Sequence, residues 1–72
     1  MGGNNMPTGS KLEKALASAK SLAADLQTFS LDTDDQQASQ MFKQLSTTMD
    51  SVTQTIQSRL DFVKSEEPQY NQ

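Results

Sequence analysis

Apolar residues in this chain recur every three or four positions, in two runs with a single break between them. The first run is Leu12, Ala15/Leu16, Ala19, Leu22/Ala23, Leu26 and Phe29. The second is Ala38, Met41/Phe42, Leu45, Met49, Val52, Ile56, Leu60 and Val63. That spacing gathers each run onto one face of a 3.6-residue helix and is incompatible with the strict alternation of a half-buried strand. The fold class is therefore all-α, and two stripes mean two helices. Ala15, Ala17, Ala19, Ala23 and Ala24 raise the helical propensity of the first and keep its packing face thin.

Local signals set the boundaries. Residues 1–9 hold all three Gly, Pro7 and two Asn, and read as a disordered N-terminal arm. Ser10-Lys-Leu-Glu13 has the form of a capping box, so the first helix is expected over about residues 10–30. Residues 31–33 form the turn. Thr33 and Gln36 make a second capping box, and Asp34 and Asp35 supply negative charge to a first helical turn. The second helix is expected over about 34–66, ending before Pro68, with 68–72 as a tail. So short a connection makes the helices antiparallel. At ~1.5 Å per residue the second helix outruns the first by about three turns. Ile56, Leu60, Phe62 and Val63 are expected on that overhang.

Composition limits what such a hairpin can do alone. Leu, Ile, Val and Phe number 13 of 72 residues, against 25 Gln, Ser and Thr. A core this thin does not offset the entropy of ordering two long helices. Two hairpins packed face to face would bury both stripes, so the expected assembly is a homodimeric four-helix bundle. The residues expected to carry self-association are Leu16, Leu22, Leu26, Phe29, Phe42, Leu45, Val52, Ile56 and Leu60.

Several function classes are excluded by residue chemistry. With no Cys, His or Trp, the chain has no disulfide, thiolate metal site, thiol nucleophile or imidazole base. Every Gly precedes residue 10, so no glycine-rich phosphate loop exists. Asp32-Thr-Asp34-Asp35 resembles the start of a calcium loop, but Gln37 stands where Gly is required and Lys43 where Glu is required. No catalytic, cofactor-binding or metal-ligating residue is assigned, and a non-enzymatic role follows. Nine acids against six bases and a pI near 4.5 argue against nucleic acid and against anionic membrane surfaces as partners. No apolar run approaches the ~20 residues that span a bilayer, and no signal peptide is recognisable. The expected location is the cytoplasm. The end of the chain offers a second candidate surface: Phe62 on the overhang, followed by Glu66, Glu67, Pro68 and Tyr70, as a docking element for a partner.

Four segments carry a resemblance. They are Leu16-Ala-Ser-Ala-Lys-Ser-Leu22, Leu26-x-x-Phe29, Thr33-Asp-Asp-Gln-Gln-Ala-Ser-Gln-Met-Phe42 and Glu66-Glu-Pro-Gln-Tyr70. In their order and spacing the chain resembles the domain of unknown function 1657 family, over roughly residues 11 to 70. The Gly/Asn-rich start is longer than the family pattern, and the middle of the second helix is richer in Thr. The family carries no established activity. The resemblance implies a setting in spore-forming Gram-positive bacteria, in the forespore or spore, with a membrane protein as partner. That implication comes from association and not from chemistry.

Overall fold

The computed structural model describes residues 7–66. They form an antiparallel helical hairpin: α1 spans Thr8–Asp32, 25 residues, and α2 spans Gln36–Glu66, 31 residues. The all-α hairpin expected from the two stripes is the fold.

The helix ends differ from the sequence expectation by about half a turn, and each difference has a local cause. α1 begins at Thr8, not Ser10, so Thr8 and Gly9 belong to the helix and not to an arm. Pro7 provides the entry with its ring-fixed φ of −61°, and the Lys11 N–H donates to the Pro7 carbonyl at 3.1 Å. Ser10 thus lies inside the first turn, and no side chain caps this end. Gly9 is a poor helix former, but it is buried, and the missing Cβ admits α2. At the other end α1 continues through Asp32, past the expected stop at residue 30. The connection is residues 33–35, not 31–33. The cap of α2 is Asp35, not Thr33. Its carboxylate accepts from the N–H groups of Gln37 at 2.9 Å and Ala38 at 3.1 Å. A carboxylate there satisfies two open donors and also meets the positive end of the helix, which a Thr hydroxyl does less well. Thr33 instead shapes the turn, its hydroxyl accepting from the Asp35 N–H at 3.1 Å.

Burial follows a seven-residue step. On α1 the buried residues are Gly9, Leu16, Ala19, Leu26 and Ser30, with Leu12 and Ala23 half-buried. These are two interleaved heptads, 9-16-23-30 and 12-19-26. On α2, Ser39, Ser46, Thr53 and Leu60 form one heptad, and Phe42, Met49, Ile56 and Val63 the other; Leu60 is buried and the rest half-buried. A sustained heptad on both helices is the signature of a coiled-coil seam. Three contacts fix its register. Ser39 Oγ donates to the Ser30 carbonyl at 2.7 Å, the Phe29 and Phe42 rings lie 5.7 Å apart, and Lys64 Nζ meets Glu13 Oε2 at 3.5 Å. This register sets Ser30 level with Phe42, Leu26 with Ser46, Ala23 with Met49 and Ala19 with Thr53. Toward the open end it sets Leu16 level with Ile56, Leu12 with Leu60 and Gly9 with Val63. Large residues face small ones in the turn half; in the open half Leu16 with Ile56 and Leu12 with Leu60 set large against large, and Gly9 again sets small against Val63.

The register removes the expected overhang. α1 reaches the level of Val63, because it is longer at both ends, the turn falls later in the chain, and the Glu13–Lys64 contact sets the start of α1 beside the end of α2. Leu60, expected beyond the end of α1, is the most buried large side chain, at 3% exposure. The polar residues in the seam are accommodated by backbone. Ser30 Oγ donates to the Gln27 carbonyl at 2.6 Å, and Thr53 Oγ1 donates to the Met49 carbonyl at 2.8 Å. No buried side-chain polar atom among the described residues lacks a partner.

Two stability measurements check this account. Leu60→Ala removes the best-buried side chain and is expected to cost about 2–3 kcal/mol, at the lower end of core Leu→Ala changes because the seam is open to solvent on its flanks. Asp35→Ala is expected to cost about 1 kcal/mol through loss of the cap. Both are read from denaturant midpoints followed by circular dichroism. An Asp35→Ala protein with an unchanged midpoint would show that the cap does not hold the second helix in place.

Candidate interaction surface

The heptad positions beside the seam define two flanks. Label the two seam positions a and d, with Leu16 at a on α1 and Ser46 at a on α2. Position e lies on one side of the seam and position g on the other. In an antiparallel pair the two e rows run together, and so do the two g rows.

The e flank is polar: Glu13, Lys20 and Gln27 on α1, and Lys43, Asp50, Gln57 and Lys64 on α2. The Glu13–Lys64 ion pair closes its open end, with both side chains about half exposed. A pair so exposed contributes less than about 1 kcal/mol, so it orients the helices more than it stabilises them.

The g flank is apolar: Ala15, Leu22 and Phe29 on α1, and Ala38, Leu45 and Val52 on α2, followed by Arg59. Met41 extends this side one position further around α2. Leu22, Phe29 and Met41 are each 47% exposed, Leu45 42% and Val52 38%. The Phe29 ring leans across the seam edge onto Phe42, with the ring planes at 58°. Five large apolar side chains are thus left open along one flank, against four apolar residues that the hairpin buries: Leu16, Ala19, Leu26 and Leu60. Isolated exposed apolar residues are ordinary, whereas a row of them on one side of a small hairpin makes this flank the candidate interaction surface.

The nine residues expected to carry self-association therefore separate into two groups. Leu16, Leu26 and Leu60 are buried against the other helix of the same chain, and Phe42 and Ile56 stand half-buried in the same seam. They pack in the seam between the two helices of the hairpin. Leu22, Phe29, Leu45 and Val52 are the open group. Met41, Ala15 and Ala38 belong with them, and the signal that finds them is the seven-residue step 15-22-29 and 38-45-52. The three- and four-residue spacing merges that step with the seam.

The second candidate surface is partly described. Phe62 is exposed, and the Arg59 guanidinium lies 5.0 Å from its ring centroid. Those two residues, with Thr55 and Ser58, line a shallow depression on the outside of α2. Glu66 ends α2 and is exposed. Glu67, Pro68 and Tyr70 lie outside the described residues. Two further depressions are equally open. One is lined by Gln40, Lys43, Gln44 and Thr47, the other by Gln27, Ser30, Leu31, Lys43, Ser46 and Thr47 on the polar flank. None combines an apolar floor with convergent polar groups in the manner of a small-molecule site. Among the described residues no three His, Cys, Asp or Glu are grouped as a metal site would need, and no helix is long and apolar enough to cross a membrane.

No curated protein and no solved structure matches the chain. A family model does match, over residues 12–60. The matched span runs from Leu12 to Leu60, two residues that the register sets level with each other, and it contains both flanks and the turn. The chain belongs to the family described as "Protein of unknown function (DUF1657)".

Proposed function

We propose that this chain is a non-enzymatic helical interaction protein that self-associates through its apolar g flank. The observation that carries the reading is the imbalance between inside and outside. The hairpin buries four apolar residues and leaves Leu22, Phe29, Met41, Leu45 and Val52 open on one side. A helix in a bundle shows apolar residues at a, d and one of e or g, whereas a helix in an isolated pair shows them at a and d alone. Both helices of this chain follow the bundle pattern, and both add the same position, g. A second hairpin laid on that flank completes a four-helix bundle and supplies the burial that one seam lacks.

The family resemblance supports a setting for this activity: a spore-forming bacterium, with the protein in the cytoplasm, the forespore or the spore. An adaptor role is the second reading, supported by the exposed Phe62 with Arg59 against its ring, next to the Glu66–Tyr70 sequence. In that reading the end of α2 and the tail dock on the cytosolic side of a spore membrane protein. Deleting residues 67–72 separates the two, because self-association through the g flank survives it.

Sedimentation velocity of the full chain is expected to give twice the monomer mass of 7.9 kDa. The double substitution Leu45→Asp and Val52→Asp is expected to shift the protein to the monomer mass and to lower its helicity at micromolar concentration. A wild-type protein that stays monomeric and fully helical on dilution and concentration would refute the reading.

A further inference from the structure

We infer that two copies of this chain pack antiparallel, the turn of one hairpin beside the open end of the other, about a two-fold axis near Leu22. The inference rests on the self-association proposed above and specifies its geometry. Two-fold packing of flank on flank allows two arrangements: turns together, or turns at opposite ends.

Bulk and charge along the flank choose between them. The turn half carries Phe29, Leu45 and Met41, and on the adjoining edge of α1 the acids Asp25 and Asp32. The open half carries the small residue Ala15 and the bases Lys11 and Arg59, with Phe62 on the same row of α2 as Met41, so that turns at opposite ends also bring Met41 near Phe62 of the second copy. All four charged residues are exposed. With turns together, each α1 would lie over the second copy's α2, so both Phe29 and both Leu45 side chains would share one layer and Arg59 would come beside Lys11 of the second copy. Bulk would crowd at the turn end, a gap would open at the other, and like charges would meet at the open end. With turns at opposite ends, each half meets its complement. Leu22 faces its own copy at the axis, Phe29 lies over Ala15 of the second copy, and Lys11 comes level with Asp32 of the second copy. The heptad supports this placement: Ala15, Leu22 and Phe29 are consecutive g positions, so a two-fold axis at Leu22 exchanges the outer two. Large against small is also the rule in the turn half of the seam itself. Opposite charges at the rim favour the correct orientation and penalise the alternative, which is how charged groups contribute to specificity at apolar interfaces.

The chain has no cysteine, so single cysteines report on the arrangement directly. Under mild oxidation Leu22→Cys is expected to cross-link to itself. An equimolar mixture of Ala15→Cys and Phe29→Cys is expected to cross-link between the two variants. Phe29→Cys alone is expected to remain reduced, because its copies stand roughly 20 Å apart along the axis at 1.5 Å per residue, beyond disulfide reach. Lys11→Asp and Asp32→Lys are each expected to weaken dimerisation roughly tenfold, since symmetry makes the pair twice, and the double variant to restore it. Sedimentation velocity on every variant separates the possible failures. A dimer in which Phe29→Cys cross-links to itself and the mixture does not overturns the antiparallel arrangement and leaves self-association standing. A dimer that cross-links at none of these positions overturns the flank assignment. Monomers throughout, with wild type included, overturn both this inference and the proposed function.

Discussion

The structure depends on one seam, in which two antiparallel helices repeat their contacts every seven residues. On α1 the seam is built from Gly9, Leu12, Leu16, Ala19, Ala23, Leu26 and Ser30. Four of these seven are Gly, Ala or Ser, so the helix offers holes more than knobs. α2 supplies the knobs where α1 is small: Phe42 beside Ser30, Met49 beside Ala23, Val63 beside Gly9. Where α1 carries Leu26, α2 carries Ser46. Matching bulk to space, layer by layer, fixes the register without any large residue at every position. The Ser39–Ser30 hydrogen bond and the Asp35 cap then hold the turn end, where the seam is thinnest.

This economy has a consequence for function. The open half holds the weight of the core, with Leu12, Leu16, Ile56 and Leu60 stacked in adjacent layers. The turn half buries Leu26 and Ala19 but has Ser30, Ser39 and Ser46 in its seam. That half is also where Phe29, Leu45 and Met41 stand exposed. The same stretch of helix thus combines a weak inside with an apolar outside. Association with a second copy, as proposed, would add burial on this side and couple assembly to folding.

Much of this was legible in particular residues. The three- and four-residue spacing from Leu12 to Phe29 and from Ala38 to Val63 announces two amphipathic helices. The Ser30–Gln36 interruption announces the turn, and the run of Asp residues announces a cap. The choice of cap was not legible: Thr33 and Asp35 both have the chemistry, and the path of residues 33–35 selects the one whose carboxylate reaches two N–H groups. The start of α1 was hidden for a related reason. Gly9 reads as a helix breaker until it is seen to face α2, where the lack of a side chain is what the packing requires. Ser30, Ser39, Ser46 and Thr53 were likewise invisible to a search for apolar stripes, because their place in the seam depends on partners across it. Their hydroxyls return to backbone carbonyls, or stay at the seam's edge, and so add little cost.

The sequence by itself determined the helical period, the number of helices, their antiparallel order and the absence of catalytic chemistry based on Cys or His. Those properties follow from neighbours along the chain and from residue types. It did not determine which apolar residues face inward. Positions d and g are adjacent around a helix, so Leu26 and Leu22, or Phe42 and Leu45, look alike in a stripe of threes and fours. Only the position of the second helix makes one of each pair a seam residue and leaves the other on the flank. That division separates one list of nine apolar residues into a seam that holds the hairpin and a flank left exposed. It is a property of two helices in contact, and a single helix does not carry it.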